Sequence, residues 1–301
     1  MVKKTSVMSL IRKKIKTLDL RELSPDEFKK YQVKLLETLV YFRDFCKEHN
    51  LKFYLSGGTC LGALRHKGFI PWDDDVDVMM PREDYEKLPV LWEKYADKTK
   101  FSCSRTTRDQ CVSFPMTVVR NENTTLVFDH SVDLDISHGV KIDVEYCDSV
   151  PENKFIASIN RILAAIMALY RTQRIPRQTK KSKKIVATIL LVLIPFKSWR
   201  WKISCWCQKQ IVKYNDIQTE FIRYGSEKPL KRSWYSGIVY LDFEGEKMPV
   251  PSGYEEMLTV KYKNYMQLPP ESARYPKTNN VVFMDLDNSY KKYKGIYYCK
   301  K

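Results

Sequence analysis

Residues 54–77 read YLSGGTCLGALRHKGFIPWDDDVD and combine a paired glycine, a short basic cluster and four aspartates. Gly57 and Gly58 follow an apolar, strand-like run, and residues without a Cβ let backbone N–H groups approach a phosphate closely. Asp75 and Asp77 are two residues apart in an alternating pattern, so both carboxylates point to one face of a strand. Two such carboxylates repel each other unless a cation lies between them, and hard oxygen ligands favour Mg²⁺ or Mn²⁺. The stretch therefore predicts metal-assisted chemistry on a phosphoryl group.

The flanking sequence predicts an α+β core over residues 25–150. Ser24-Pro25-Asp26-Glu27 is a capping box with proline at the first helical position, and the apolar residues behind it recur at helical spacing until residues 49–50. Short strands are predicted over 52–56 and 76–80, a helix opens at Pro81, and a run of strands follows over 101–147. Helices alternating with short strands indicate an α+β or α/β architecture.

A third acidic residue, Asp143, lies between the apolar residues Ile142 and Val144. Burying its charge without a cation would cost several kcal/mol, so contact with a metal or another cation is favoured. The order of a Gly-Gly loop, an acid-x-acid strand and a third carboxylate resembles the nucleotidyltransferase superfold. This resemblance implies a small mixed sheet with flanking helices, and a role for Asp143 as metal ligand or as the base that takes a proton from the attacking hydroxyl.

Two longer motifs extend the pattern. The first runs from Ser56-Gly-Gly-Thr through Arg65-His and Asp73-Asp-Asp-x-Asp77 to Arg82-x-Asp-Tyr85. The second comprises Phe243-Glu-Gly245, Pro249-x-Pro251, Tyr254, Leu258, Tyr262 and Tyr265-Met-x-Leu-Pro-Pro270. Together they resemble the LicD family of bacterial phosphocholine transferases, which is similar to the fukutin group of ribitol-phosphate transferases. The resemblance covers about residues 25–275.

The family resemblance implies an activity and a set of site residues. The implied reaction moves an alcohol phosphate from a CDP-alcohol such as CDP-choline to a sugar hydroxyl of a lipid-linked or surface glycan (lipopolysaccharide, teichoic acid or capsule), with release of CMP. The implied metal ligands are Asp75 and Asp77, with Asp143 added by the resemblance to the nucleotidyltransferase superfold, and Arg65 is the implied catalytic phosphate partner. Implied substrate-binding residues are Ser56, Gly57, Gly58, Thr59, His66, Asp74 and Arg82.

Several of these residues also have simpler structural interpretations. Asp73 and Asp74 could be solvated turn residues or helix caps. His66 could be a packed, hydrogen-bonded side chain. Arg82 could pair on the surface with Asp84 or Glu86.

The positive charge is concentrated in one segment. The chain carries a net charge of +16, and residues 154–215 hold fourteen Lys or Arg and no Asp or Glu. This segment includes the apolar run 185–196, which is too short to span about 30 Å of hydrocarbon as a helix. Lysines flank one end, and Trp199 and Trp201 with further cations flank the other, as at a membrane interface. An anionic membrane surface is the predicted partner; a core helix with solvated basic ends and a true membrane span are the alternatives.

Other sequence features limit where the protein is expected in the cell and what it is expected to bind. The chain has no motif of a nucleic-acid-binding protein, so no nucleic acid is expected. The eight cysteines form no Cys-x-x-Cys pair, as in a protein of a reducing compartment. Residues 1–26 are interrupted by charges and lack the apolar core of a signal peptide. We expect a cytoplasmic protein, peripheral at the inner face of the cell membrane.

These observations divide the chain into four parts. Residues 1–24 form a basic N-terminal segment, 25–150 the catalytic core, 151–215 a basic, largely helical insertion at the membrane interface, and 216–301 a C-terminal, helical part that completes the catalytic domain. The predicted function is metal-dependent phosphotransfer. The alternatives are a nucleotidyltransferase or glycosyltransferase with the same Asp-x-Asp site, and a non-catalytic membrane-docked assembly subunit.

Overall fold

A computed structural model describes residues 23–112, 114–175, 180–217, 219–275 and 281–300. The basic segment predicted over residues 1–24 lies outside these ranges, apart from its last two residues. The described chain is a mixed α and β structure, as predicted.

The secondary structure is as follows. The helices are α1 (Pro25–Glu48), α2 (Gly57–His66), α3 (Arg82–Tyr95), α4 (Lys154–Thr172), α5 (Lys181–Leu193), α6 (Lys197–Val212) and α7 (Tyr254–Tyr262). The strands are β1 (Tyr54–Leu55), β2 (Asp77–Pro81), β3 (Phe101–Ser104), β4 (Thr117–Asn121), β5 (Thr125–Phe128), β6 (Val140–Ser149), β7 (Phe221–Arg223), β8 (Leu230–Lys231), β9 (Ile238–Phe243), β10 (Glu246–Pro251) and β11 (Val281–Asp285). Short 3₁₀ turns cover Arg232–Tyr235, Glu271–Ala273 and Tyr290–Tyr293.

Helix α1 begins where the capping box predicts. The Ser24 hydroxyl accepts a hydrogen bond from the Glu27 N–H, and the Glu27 carboxylate accepts one from the Ser24 N–H. Pro25 occupies the first turn, where a missing N–H costs nothing. The apolar face of the helix is fully buried and packs across β4 and β6. This helix therefore covers one face of the sheet.

The central sheet has the order β1-β2-β6-β4-β3, with β7 paired to the far end of β6 and β8 to β7. Strands β2 and β6 are parallel, whereas β1 with β2, β4 with β6 and β3 with β4 are antiparallel. Two further antiparallel pairs, β9 with β10 and β5 with β11, lie outside this sheet. The two strands that carry the predicted carboxylates are thus direct neighbours.

The C-terminal part packs on the core through β9, β10 and α7. Strand β10 contacts β1, and α2 contacts both β9 and α7. Met248, Val250 and Leu258 belong to the same buried core as α1. Helix α7 has no side-chain cap, because the Ser252 hydroxyl donates to the Trp234 carbonyl and accepts from the Gly237 N–H instead.

Three helices form the basic segment, as predicted for residues 154–215. Helices α4 and α6 pack closely against each other, and α5 packs on them through a small apolar cluster. Among the described helices, α4 has the length and composition to cross a membrane, and 33% of its apolar window is buried in the protein.

A buried histidine makes the fold sensitive to acid. His138 is 1% exposed, and its Nε2 lies 3.1 Å from the Leu134 carbonyl oxygen. Burial, with a smaller contribution from the positive charge of Arg120, lowers the pKa of His138 to about 4. The neutral imidazole therefore contributes stability above pH ~6.5, and this contribution is lost as the pH falls towards the folded pKa.

We expect wild-type protein to lose about 3 kcal/mol of unfolding free energy from this group between pH ~6.5 and pH ~4. His138→Gln removes the titration, so urea unfolding at the two pH values should show a smaller drop for the variant. An equal drop in both proteins would show that other groups account for the acid sensitivity.

Candidate active site

The register of β2 and β6 places two predicted carboxylates side by side. Asp77 lies opposite Asp143, and Val78 opposite Val144, in the parallel ladder. The Asp143 N–H donates to the Val76 carbonyl at 2.8 Å. Neighbouring strands are about 4.8 Å apart, and paired residues project to the same face. The two segments of the sequence therefore converge at Asp77 and Asp143.

A third acidic side chain, Glu145, shares this face, because it lies two residues beyond Asp143 on β6. Its carboxylate accepts a hydrogen bond from the Ser56 hydroxyl at 3.4 Å. Burial raises the pKa of Glu145 to about 8. Burial, followed by the charges of Asp75, Glu145 and Asp143, also raises the pKa of Asp77 well above its usual range. The face therefore concentrates carboxyl groups in a buried position where their mutual repulsion opposes ionisation.

One oxygen of Asp143 identifies a place for a cation. Its Oδ2 accepts a hydrogen bond from Lys141 Nζ at 2.5 Å. Its Oδ1 is buried and has no hydrogen-bond partner within the described part of the chain. An unpaired carboxylate oxygen beside a second carboxylate fits a small divalent ion with oxygen ligands. Asp77 and Asp143 can therefore contribute to a magnesium or manganese site.

The loop before β2 brings further carboxylates. The ligand oxygens of Asp73, Asp74 and Asp75 all lie within 4.8 Å of one another. Helix α1 holds this loop, since the Tyr31 hydroxyl donates to the Asp74 carbonyl at 2.7 Å and Gln32 donates to the Asp73 carbonyl at 3.2 Å. Asp77 and Asp143 do not belong to this compact group. Of the three predicted metal ligands, only Asp75 does.

The paired glycines allow the carboxylates to approach the start of α2. Gly57 has φ +54°, and a Cβ on it would lie 3.4 Å from Oδ2 of Asp77. A Cβ on Gly58 would lie 2.7 Å from Oδ2 of Asp73, a distance that real side chains do not tolerate. Thr59 adds a direct link, because its hydroxyl accepts a hydrogen bond from the Asp77 N–H at 3.0 Å. The helix N-terminus and the acidic face therefore share one space.

Helix α7 supplies a cation to this space. A Cβ on Gly57 would lie 3.3 Å from Nζ of Lys261 and 3.7 Å from the hydroxyl of Tyr262. The positive charge of Lys261 acts on Glu145 and opposes the effect of burial on its pKa. Burial raises the pKa of Tyr262, and the negative charges of Asp73 and Asp77 also raise it, so the hydroxyl stays protonated. Sequence analysis gave neither Lys261 nor Glu145 a role.

Arg65 and His66 lie at the opposite end of α2 from the glycines. Eight residues separate Gly57 from Arg65, about 12 Å along a helix. Arg65 donates to the Tyr265 carbonyl at 2.8 Å and to His66 Nε2 at 3.0 Å. Burial lowers the pKa of His66, and Arg65 lowers it further, so the ring is a neutral acceptor. The structure does not bring either side chain to the Gly57-Gly58 turn.

Arg82 is a structural residue, which corrects its assignment to substrate binding. Its guanidinium is 7% exposed and makes two hydrogen bonds to Asp148, with Nε to Oδ1 at 2.8 Å. It also donates to Glu86 at 3.1 Å and lies 3.5 Å from the ring centre of Tyr146. Asp148 is five residues beyond Asp143 on β6, about 17 Å along a strand. Of the two expected alternative partners, Asp84 and Glu86, Glu86 is a partner, but the buried Asp148 is the principal one.

We expect Arg82→Ala to reduce the free energy of unfolding by about 3–5 kcal/mol, because it leaves the Asp148 carboxylate buried without its cationic partner. Urea unfolding measures the loss. Arg105→Ala is the control, since Arg105 also pairs with Glu86 but is half-exposed, and we expect it to cost less than about 1 kcal/mol. A stable Arg82→Ala protein with weakened donor binding would restore the substrate-binding assignment.

Comparison with known proteins agrees with this arrangement. A family model described as the LicD/FKTN/FKRP nucleotidyltransferase domain matches residues 50–148. The lipopolysaccharide cholinephosphotransferase LicD of Haemophilus influenzae is 29% identical over 257 residues, which is 81% of this chain and 93% of that protein. An uncharacterized protein of Rickettsia prowazekii is 35% identical over 68 residues, 21% of this chain and 26% of its own. An uncharacterized protein of Caenorhabditis elegans is 38% identical over 74 residues, 25% of this chain and 17% of its own.

The family-model match spans the stretch from β1 to the end of β6, which contains the glycine turn, the aspartate loop and the paired carboxylates. The Haemophilus protein aligns over most of both chains. Both findings support membership of the LicD family, in which the Haemophilus relative is a transferase of phosphorus-containing groups.

Proposed function

We propose that this protein transfers phosphocholine, or a similar alcohol phosphate, from a CDP-alcohol to a sugar hydroxyl of a cell-surface glycan precursor, and releases CMP. The observation that carries the proposal is the meeting of the Gly57-Gly58 turn with Asp77 and Asp143 on neighbouring strands. The likeness to a lipopolysaccharide cholinephosphotransferase supports choline as the alcohol and a lipopolysaccharide-type glycan as the acceptor.

The proposed core is nucleotidyltransferase-like, with Mg²⁺ or Mn²⁺ held by Asp75, Asp77 and Asp143. The unpaired Oδ1 of Asp143 and the all-oxygen donor set support this ligand set. When bound, such an ion neutralises charge on the phosphate oxygens. The acidic face otherwise repels a diphosphate, so this neutralisation is required before the donor can bind.

The protein's own groups orient the donor and acceptor. The backbone N–H groups at the start of α2 face the same space as Asp77 and suit a phosphate. Lys261 adds a positive charge over this turn. The acceptor oxygen attacks the phosphorus that bears the alcohol, and the bond from that phosphorus to the oxygen of the CMP leaving group breaks. Asp143 serves as ligand or as the base that accepts the hydroxyl proton.

We further propose that the enzyme acts at the cytoplasmic face of the cell membrane, where residues 154–215 attach it to anionic lipid. The segment's fourteen Lys or Arg and its lack of acidic residues support this partner. Attachment would keep the active site close to a lipid-linked acceptor.

The decisive experiment measures the products formed from several donors. The protein is incubated with Mg²⁺, lipopolysaccharide that lacks phosphocholine, and CDP-choline, CDP-ribitol or a nucleotide sugar. We expect CMP from CDP-choline, labelled phosphocholine on the glycan, and loss of both in EDTA. Release of a nucleoside diphosphate would identify a glycosyltransferase. No turnover, with no Mg²⁺-dependent nucleotide binding by calorimetry, would identify a non-catalytic assembly subunit.

A further inference from the structure

From Ile185 to Leu193 helix α5 is apolar apart from Thr188, yet half of this stretch faces outwards. Its inner residues, such as Ala187 and Leu190, pack against α4. Its outer face carries exposed apolar side chains, including Ile185 at 60% and Leu193 at 67% exposure. A helix that is hydrophobic all round is normally buried in a protein core or in lipid. The outer face of α5 therefore lacks cover within the described part of the chain.

The ends of this apolar face carry cations and aromatic rings. Lys180, Lys181 and Lys183 are exposed at the start of α5. Phe196 and Trp199, 63% and 58% exposed, follow its end with their ring centres 6.2 Å apart. Apolar surface bounded by tryptophan and lysine is typical of a segment that lies in a membrane interface.

A groove on α6 begins where this apolar face ends. It has a volume of about 540 Å³ and is lined mainly by Arg108, Ser198, Trp201, Lys202, Trp206 and Lys209. Three of these side chains are cationic, and none of the residues that line the groove is acidic. Lys202 and Lys209 are seven residues apart, two helical turns on one face. The groove therefore offers an anion two lysines and an arginine beside indole rings.

The groove lies away from the proposed catalytic carboxylates. Gln208, on the inner side of α6, donates to Glu86 at 3.0 Å, and Glu86 is also a partner of Arg82. Arg82 follows the last residue of β2, whereas Asp77 is the first. Helix α6 is thus fixed at the opposite end of β2 from the acidic face. An anion in the groove would serve attachment rather than phosphotransfer.

We propose that the groove on α6 is a binding site for the phosphate headgroup of an anionic lipid, while the outer face of α5 lies among the acyl chains. A phosphate group could come from a lipid or from a soluble compound. The adjoining apolar face favours the lipid, because one bilayer would satisfy both surfaces. This inference rests on the proposed membrane attachment and is independent of the proposed chemistry.

The test compares binding of the full chain to vesicles of phosphatidylcholine alone and of phosphatidylcholine with phosphatidylglycerol. We expect Lys202→Ala/Lys209→Ala to weaken binding to the anionic vesicles by about thirty-fold, about five-fold for each lysine. Binding to neutral vesicles should change little. The matched control is Lys228→Ala/Lys231→Ala, which removes the same charge from exposed positions at β8. We expect the control to bind anionic vesicles almost as the wild type does.

Equal losses in the two double variants would overturn the site, since they would reflect net charge alone. Unchanged vesicle binding by Lys202→Ala/Lys209→Ala, with loss of inorganic phosphate binding by calorimetry, would identify a soluble-phosphate site and overturn the lipid assignment. Ile185→Asp/Leu193→Asp should weaken binding to both kinds of vesicle if α5 enters the bilayer. Asp77→Asn should bind vesicles normally, so failure of catalysis and failure of attachment can be told apart.

Discussion

Asp77→Asn is expected to abolish phosphotransfer, with a loss of roughly a thousand-fold or more. The charge stabilisation that a bound divalent ion supplies is worth several kcal/mol, and about 4 kcal/mol corresponds to that factor. Asparagine keeps the shape of the side chain but removes the negative charge that would hold the proposed ion. Asp75→Asn should behave in the same way. CMP release from CDP-choline in the presence of Mg²⁺ measures the loss.

The same substitution should leave the fold at least as stable. The pKa of Asp77 is raised well above its usual range by burial and by Asp75, Glu145 and Asp143. Its charged form therefore opposes folding at neutral pH when no cation is present, and a neutral amide removes that repulsion. We expect urea unfolding in EDTA to require as much denaturant for Asp77→Asn as for the wild type, or more.

Addition of Mg²⁺ separates a metal ligand from a structural residue. At a concentration about 100 times the dissociation constant, Mg²⁺ should stabilise the wild type by about 2.7 kcal/mol and should not stabilise Asp77→Asn. Asp133→Asn is the control, because Asp133 is 69% exposed in an ion pair with Arg174. Substantial turnover by Asp77→Asn, or equal stabilisation of both proteins by Mg²⁺, would contradict the metal assignment.

The orientation of Asp77 and Asp143 could be predicted because each lies between apolar residues in a strand, with its carboxylate on one face. Two buried strands of this kind pair readily, and the period of two then aligns the acids. The start of helix α1 was predictable for a local reason: the side chains of Ser24 and Glu27 each accept a hydrogen bond from the other residue's backbone N–H. The local sequence determines where the helix begins and which face of its strand each carboxylate occupies, whereas the pairing of β2 with β6 was expected only from the resemblance to the nucleotidyltransferase superfold.

Glu145 could have been found from the same alternation along β6, because Lys141, Asp143 and Glu145 are charged and the residues between them are apolar. Arg82 was harder to predict. Its partner Asp148 is 66 residues away, and only the pairing of β2 with β6 brings the two together. No local pattern distinguishes an arginine that binds a phosphate from one that closes a buried ion pair.

Lys261 could not have been placed by sequence reasoning. It reaches the glycine turn because α7 and β9 pack against α2, and about two hundred residues separate these parts of the chain. Burial of Met257 and Leu258 on one side of α7 fixes the helix against the core. That packing turns Lys261 and Tyr262 towards Gly57. The cation that the resemblance assigned to Arg65 is thus available from another helix.

Lys261→Gln is expected to lower kcat/KM for CDP-choline by about 10- to 100-fold. A hydrogen bond from a charged donor to a phosphate is worth about 1.5–3 kcal/mol, and glutamine keeps most of the side-chain length without the charge. The structural reason is the position of the ammonium, 3.3 Å from where a Gly57 Cβ would lie and close to Asp77. Initial rates of CMP release over a range of CDP-choline concentrations measure the effect.

Lys263→Gln is the matched control, because Lys263 is an exposed lysine at the end of the same helix. We expect it to retain wild-type kinetics, and we expect Lys261→Arg to recover most of the activity that Lys261→Gln loses. A lysine that merely supports α7 would instead change the unfolding free energy and affect all substrates alike. If Lys261 contacts the phosphate that is transferred, its loss should weaken binding of CDP-choline more than binding of CMP, because CMP lacks that phosphate. Equal weakening for both ligands, or equal loss in the two glutamine variants, would show that Lys261 does not contact the phosphate that is transferred.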